Sequence, residues 1–341
     1  MPNLRFAVLG TGFWSRYQIP AWLEAGGVEL VAVYNRTVAK AEKIAERFSV
    51  PHVYGDAEAL FRHEQLDFVD IITEVPSHAP LVLMAARYQV PVICQKPMAP
   101  DFATACAMVE ACRQAGVPYF VHENYRWQTP IRALKRLVDA GSIGRLFRGR
   151  FQFLHALEPF VWQNQPLLKT LEKLIIADQG SHQLDLVRFF LGEARSLYCQ
   201  HLRIRDDILA EDVASVTLQM DNAIANVEMS FVTKTEWNHF PEELIYLEGT
   251  QGTLELGPDF WIRLTTAGGT QIGRCRPPHY DWADPAYDVN HASMVSLHQD
   301  FLRALRTGHP PETTGEDNLK TMRLVYAAYE SAEQNQVIRL E

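Results

Sequence analysis

Basic residues are in short supply: 32 Lys and Arg stand against 41 Asp and Glu, a formal net charge of −9. Nucleic acid is held through a basic footprint, so it is excluded as a partner. Cysteine is scarce too. The five present, Cys94, Cys106, Cys112, Cys199 and Cys275, are odd in number and scattered, which excludes a secreted disulfide framework and points to a reducing compartment. No apolar run approaches the roughly 18 residues of a membrane span, and the N-terminus enters a strand-like segment within a few residues. We therefore expect no membrane partner, no targeting segment and a cytoplasmic location. The twelve histidines show no His-Glu-x-x-His spacing, and no Cys-x-x-Cys pair occurs, so no metal is expected.

What the chain has is core material: 47% of its 341 residues are hydrophobic and 21% charged, enough for about two globular domains. Short apolar runs at Leu4–Leu9, Val28–Tyr34, Phe68–Thr73 and Val90–Cys94 alternate with helical patterns at Val38–Phe48 and Ala79–Tyr88. Such alternation reads as βαβ units around a parallel sheet. After Val117–Val121 the texture changes. A helix at Ile131–Ala140 is followed by period-two segments at Arg148–Leu154, Val213–Met220, Ala225–Phe231, Leu244–Glu248 and Thr253–Leu256, the mark of an antiparallel sheet with one face on helices. Arg276–Asp288 reads as a long surface loop and Gly315–Gln334 as a closing helix.

The expected fold is α/β: a Rossmann doubly wound parallel sheet over residues 1–123, then an α+β domain with a large, mostly antiparallel sheet over residues 124–341, whose last helix can pack back on the first domain. We take alternating Val, Leu, Met and Phe to leave the exposed sheet face too apolar to stay bare. A homodimer or homotetramer through that sheet is expected.

Gly10-Thr11-Gly12-Phe13-Trp14-Ser15 follows the first strand and opens a helix, the context in which a glycine-rich fingerprint binds a dinucleotide. Gly10 permits the turn, Gly12 lets backbone approach the pyrophosphate, and the helix start attracts its charge. Ser15 stands where a third glycine is usual. At the end of the second strand Asn35 replaces the acidic residue that would grip a ribose 2′-hydroxyl, and Arg36 follows. A neutral Asn beside a cation favours NADP over NAD.

Cys94-Gln95-Lys96-Pro97 ends another parallel strand, at the edge where ligands bind in such sheets. Farther on, Asp178-Gln179-Gly180-Ser181-His182-Gln183-Leu184-Asp185, read as a helix, sets Asp178 and His182 one turn apart on one face, with Gln179 and Gln183 on another. Asp185 is expected to be structural, its charge suiting a helix start.

These motifs together resemble the Gfo/Idh/MocA oxidoreductase family across essentially the whole chain. The resemblance rests on the glycine fingerprint, a strand-end Glu-Lys-Pro and Asp-x-Gly-x-His-x-x-Asp. Further matches are Pro76-Ser77-His78, Asn124-Tyr125-Arg126, Gly141-Ser142-Ile143-Gly144 and Glu248-Gly249-Thr250-Gln251-Gly252-Thr253. Within the family, Cys-Gln-Lys-Pro and the run His122–Gln128 look most like sugar dehydrogenases. One departure stands out: the usual Glu before the lysine is Gln95, which removes a charge favouring the charged form of Lys96.

The resemblance implies an NAD(P)-dependent dehydrogenase acting on a sugar, polyol or related hydroxyl or carbonyl compound. Lys96, Asp178 and His182 would be catalytic. Gly10, Thr11, Gly12, Phe13, Trp14, Asn35, Arg36, Thr73, Pro76, His78, Gln95 and Lys96 would hold the cofactor. Asn124, Tyr125, Arg126 and Trp127, with Asp178, His182 and a loop from Leu154 to Leu168, would receive the substrate between the domains. Trp162, Trp237 and Phe240 equally fit packing or dimer contacts. In this scheme His182 takes the hydroxyl proton near neutral pH, Lys96 steadies the oxygen, and Asp178 fixes the imidazole or binds a neighbouring hydroxyl. Relatives of this architecture also include NAD-assisted glycoside hydrolases and regulatory proteins that bind nucleotide without turnover.

Overall fold

The computed structural model describes residues 2–157, 159–235 and 239–340. By backbone contacts the chain forms two units, Met1–Glu123 with Met294–Lys320, and Asn124–Ser293 with Thr321–Glu341.

The first unit alternates strand and helix: β1 (Leu4–Leu9), α1 (Ser15–Ala25), β2 (Val28–Tyr34), α2 (Val38–Phe48), β3 (His52–Tyr54), α3 (Ala57–His63), β4 (Phe68–Ile71), α4 (His78–Arg87), β5 (Val92–Gln95), α5 (Phe102–Ala115) and β6 (Tyr119–His122). The strands lie in the order β3-β2-β1-β4-β5-β6, all parallel. The order reverses between β1 and β4, the crevice where ligands bind in doubly wound sheets. Central strands covered on both faces read as continuous apolar runs, and β4 and β5 are buried at every position. Phe6 stacks on Phe68 (4.9 Å), with Trp22 packed against both.

The second unit opens with α6 (Thr129–Asp139) and continues through β7 (Leu146–Leu154), α7 (Pro159–Asn164), α8 (Ile175–Leu191), β8 (Ala194–Leu202), β9 (Val213–Met220), β10 (Ile224–Ser230), β11 (Leu244–Gly249), β12 (Gly252–Gly257), β13 (Trp261–Thr266) and β14 (Gly269–Arg274). Then come α9 (Asp288–Thr307), α10 (Gly315–Gln334) and β15 (Ile338–Arg339), the two helices each contributing residues to both units. The nine-stranded sheet runs β14-β13-β12-β11-β7-β10-β9-β8-β15, antiparallel except for β7 with β10. The parallel and the mostly antiparallel sheet agree with the expectation. Strands β3, β8, β13, β14 and β15 and helices α3, α5, α7 and α9 were not among the elements read from sequence, α7 falling inside the stretch read as a loop from Leu154 to Leu168, and the last described element is β15 rather than α10.

The sheet's exposed face corrects the sequence reading. On β9, Ala214, Val216, Leu218 and Met220 are buried while Ser215, Thr217 and Gln219 are exposed. Period-two alternation sends the apolar half inward, against Leu184, Val187 and Phe190 of α8, in one core. The other face is polar and cross-linked: Arg148 pairs with Glu248, Gln152 donates to Glu228 at 2.6 Å, and Thr217 donates to Asn226 at 3.1 Å. Trp162 belongs to the core, and Phe240 packs against it. Trp237 and Glu158 lie outside the described residues.

Helix α8 starts without a cap of its own. Glu211 reaches in instead and accepts from the Leu174 and Ile176 N–H groups (3.1 and 3.2 Å), while Tyr329 donates its hydroxyl to Glu211 (2.7 Å) and accepts from the Ala177 N–H (3.1 Å). Buried N–H groups at a helix start need such partners, and these fix the end of α8 that carries Asp178. No helix among the described residues is long and apolar enough to cross a membrane.

Candidate active site

In the first unit the fingerprint forms a tight turn off β1. Gly10 has φ 108°, and a Cβ there would lie 2.5 Å from the Ile72 carbonyl oxygen, so only glycine lets the turn close against the end of β4. At Gly12 a Cβ would meet nothing within 4 Å, which leaves the backbone open to a ligand. Ser15 holds the turn from inside: its Oγ donates to the Gly12 carbonyl at 2.7 Å. The start of α1 has no side-chain cap, as an anion-binding helix terminus requires. Thr11 Oγ1 and Thr73 Oγ1 beside the turn are buried without a hydrogen-bond partner among the described residues, hydroxyls that a bound dinucleotide would satisfy. Phe13 and Trp14 pack edge-on against each other and against Tyr17. These features fit an NAD-type cofactor.

Other expected cofactor residues are placed differently from one another. Asn35 Oδ1 accepts from the Thr11 N–H (3.4 Å) and its Nδ2 donates to the Thr37 carbonyl (3.0 Å), so it braces the turn. Arg36 is exposed and lies 4.0 Å from the Glu74 carboxylate. Pro76 is exposed in a short 3-10 turn. His78 is wholly buried, its two ring nitrogens facing the Thr73 and Met98 carbonyls (3.1 and 3.3 Å). Burial holds its pKa below the usual imidazole range, so one nitrogen donates at a time and the ring ties two loops together.

Lys96 follows β5, and the Gln95 side chain beside it is buried. Gln95 Oε1 accepts from the Lys96 N–H at 3.1 Å; Gln95 Nε2 donates to Gln18 Oε1 at 2.6 Å and lies 3.4 Å from His122 Nδ1. Gln18 Nε2 donates in turn to both oxygens of Asp70 (2.9 and 2.7 Å), and the Trp22 indole N–H donates to the same carboxylate at 2.7 Å. The Trp22 ring stacks on His298 at 3.7 Å, and His298 Nε2 is 3.0 Å from His122 Nε2. Gln18, Trp22, Asp70 and His298 were missed by the sequence reading, and His122 was read only as the first residue of a family-like run. The signal present was Asp70, a lone acid inside the apolar run Phe68–Ile72.

In the second unit Asp178 lies in the first turn of α8, with His182 one turn on, buried. The His182 ring stacks flat on Tyr125, centroids 3.6 Å apart and planes 4° from parallel. Gln179 and Gln183 share the face expected of them and both donate to Glu243; Gln179 also bonds the Tyr125 hydroxyl (3.2 Å). Asn124 Nδ2 donates to Asn290 Oδ1 (2.7 Å) and Ser293 Oγ (2.6 Å). Trp127 is buried, with Arg132 over its ring at 4.7 Å. Arg126 forms a two-pronged bond to Asp185 (2.6 and 2.7 Å). Asp185 is structural for a reason other than the helix dipole. It lies well inside α8, fully buried, and is held by Arg126, Arg188 and the Thr321 hydroxyl.

Residues 4–123 match the family described as an oxidoreductase family with an NAD-binding Rossmann fold (GFO_IDH_MocA), and residues 131–255 match the GFO/IDH/MocA C-terminal domain. The chain is 40% identical to a D-apiose dehydrogenase of Rhizobium rhizogenes over 97% of its length and 96% of the relative's. It is 38% identical to a D-apiose dehydrogenase of Paraburkholderia graminis, covering 98% and 89%. Among solved structures, an oxidoreductase from Agrobacterium radiobacter in complex with NAD+, L-tartaric acid and magnesium superposes with a TM-score of 0.96 at 40% identity, covering 99% of this chain and 98% of that one.

The buried carboxyl of Asp70 carries a pH signature. Burial pushes its pKa up to about 7, against the opposing Trp22 and Gln18 N–H groups. Titratable groups nearby include His122, the Cys94 thiol on β5, pushed well up by burial and then by Asp70, and His298, held well below its usual range by burial and then by His122. Because the unfolded carboxyl titrates near 4, folding takes up a proton between the two values. The stability from this group is full below about pH 4 and is lost as pH rises through about 7. In urea titrations, Asp70→Asn should gain on the wild type by a few kcal/mol between those pH values; parallel pH profiles for the two proteins would contradict the assignment.

Proposed function

The chain belongs to the Gfo/Idh/MocA family of NAD-binding oxidoreductases, and from that membership we propose that it oxidises the hydroxyl-bearing carbon of a sugar, D-apiose being the first candidate. The observation that carries the reading lies in the first unit. An open glycine turn, with unpartnered Thr11 and Thr73 hydroxyls, shares a sheet edge with the strand that ends at Gln95, next to Lys96. Near full-length likeness to two D-apiose dehydrogenases supports the substrate class.

When bound, the nicotinamide supplies the hydride acceptor. The chain's own residues handle the proton and the charge. His182 is the general base for the hydroxyl proton, since imidazole works near neutrality. Its flat stacking on Tyr125 holds the ring plane, and orientation of this kind is a large part of a base's effect. Lys96 donates to the same oxygen and steadies the charge that develops on it. Asp178, one turn before His182 on α8, orients the imidazole or binds a neighbouring hydroxyl. The Tyr125, Asn124, Arg126 and Trp127 segment forms the substrate side, with Tyr125 as its working member. The Arg126 and Asn124 groups serve that segment through Asp185 and through Asn290 with Ser293.

Three finer proposals accompany this one. A preference for NADP requires Arg36 to exchange its exposed pairing with Glu74 for a 2′-phosphate. A homodimer or homotetramer through the second unit's sheet would use the polar face described above, with hydrogen bonds in place of the apolar contact first expected. A cytoplasmic location is supported by five unpaired cysteines.

With a panel of D-apiose, D-xylose and myo-inositol, net cofactor reduction should appear. His182→Ala or Lys96→Ala should each lower kcat by about a hundredfold or more, with cofactor affinity measured separately. Unchanged turnover in both variants would reject the assignment, and transformation without net reduction would point to the hydrolase chemistry. Arg36→Ala should lower kcat/KM with NADP more than with NAD; a clear NAD preference that persists in the variant would overturn the NADP proposal. Light scattering on an eluting size-exclusion peak should give at least twice the 38.8 kDa chain mass, and a monomer would reject the assembly.

A further inference from the structure

The hydrogen-bonded chain beneath Lys96 has a direction set by its two ends. At one end is a backbone N–H, which only donates; at the other is the Asp70 carboxylate, which only accepts when ionised. Between them lie two amides, Gln95 and Gln18, each with one oxygen and one NH2. Only one arrangement satisfies every contact: Lys96 N–H to Gln95 Oε1, Gln95 Nε2 to Gln18 Oε1, and Gln18 Nε2 to Asp70. Turning either amide sets oxygen against oxygen or NH2 against NH2 in a site where Gln18 and Asp70 are 0% exposed. Buried polar atoms left in that condition are costly.

We propose that Asp70, acting through Gln18, is a positioning residue for Lys96, and that its carboxylate is the reason glutamine stands before the lysine. This rests on the reading of Lys96 given above. Gln18 has committed its NH2 to Asp70, so it offers position 95 an oxygen. A Glu at 95 would set a carboxylate against that oxygen at the 2.6 Å now spanned by a hydrogen bond, and would move away, carrying the Lys96 backbone with it. The conflict disappears when residue 70 can donate. In Asp70→Asn, the new amide NH2 lets Gln18 turn over, accept from residue 70 and present its NH2 to a carboxylate at position 95. The Trp22 N–H keeps the amide oxygen of residue 70 as its acceptor. His122 Nδ1, which faces Gln95, becomes a donor when His122 and His298, whose Nε2 atoms share one proton at 3.0 Å, exchange tautomers together. A carboxylate at 70 with a glutamine at 95, and an amide at 70 with a glutamate at 95, are therefore the two matched pairs.

The test compares wild type, Gln95→Glu, Asp70→Asn and the double variant above pH 7, with the best sugar of the panel and with hydrogen exchange of the Lys96 amide as a second readout. Gln95→Glu should lower kcat by about tenfold to a hundredfold, as a displaced reacting group does, with a smaller change in cofactor KM, and should speed exchange of the Lys96 amide. Adding Asp70→Asn should restore most of kcat and slow the exchange again, although Asp70→Asn brings no gain in kcat by itself. If Gln95→Glu does not fold, a double variant that folds and turns over supports the proposal. A double variant no better than Gln95→Glu, or a Gln95→Glu enzyme like wild type in both readouts, overturns it. Lys96→Met run alongside separates the two claims. If it is active, the reading of Lys96 fails; if it is inactive while Gln95→Glu matches wild type, only the positioning role fails.

Discussion

The close approach of Gly10 to the Ile72 carbonyl oxygen is the contact on which the rest of the first unit is built. A single Cβ at that point would lie 2.5 Å from the oxygen, and the end of β1 would separate from the end of β4. Because the two strand ends close, the turn opens outward at Gly12 and α1 leaves it in one direction. That direction brings Gln18 and Trp22, one and two turns along α1, onto the carboxylate of Asp70 on β4. The same helix therefore offers its uncapped start to a nucleotide and its first two turns to a buried charge.

In each unit the candidate residues are held by polar groups whose partners lie far away in sequence. Gln95 reaches Gln18 across 77 positions, and Arg126 reaches Asp185 across 59. Both are buried, where an unmet donor or acceptor costs more than the bond itself contributes. Such networks hold geometry through the cost of the alternatives. In the second unit the same logic fixes α8: Glu211 caps its start, Glu243 takes both glutamines from one face, and Asp185 secures its middle. Asp178 and His182 thus sit on a helix tied down along its length, which would suit the proton-handling roles proposed for them.

Much of this was legible in the sequence because it is local or periodic. The glycine turn announced itself by following a strand and opening a helix, and β1, β2, α2 and β9 fell on the residues their patterns named. The spacing of Gln179 and Gln183 placed them on one face, where they meet Glu243. Other features were out of reach. Period-two alternation marks two faces without saying which is covered, so alternating Val, Leu, Met and Phe were taken to leave an apolar face exposed, whereas on β9 the apolar half is buried in the core with α8. Asp185 read as a helix-start residue because the upstream boundary of α8 at Ile175 carries no capping side chain of its own. The partners of Asp70 follow no motif spacing, since only the closing of β1 on β4 brings α1 above it.

A sugar deuterated at its oxidised carbon offers the most direct measurement of the central claim, that this chain moves a hydride from a sugar to a nicotinamide. After turnover, NMR of the recovered cofactor should find the deuterium on the nicotinamide ring, one per sugar oxidised. Deuterium that stays on the sugar or exchanges into water, with the cofactor unlabelled, would contradict the account.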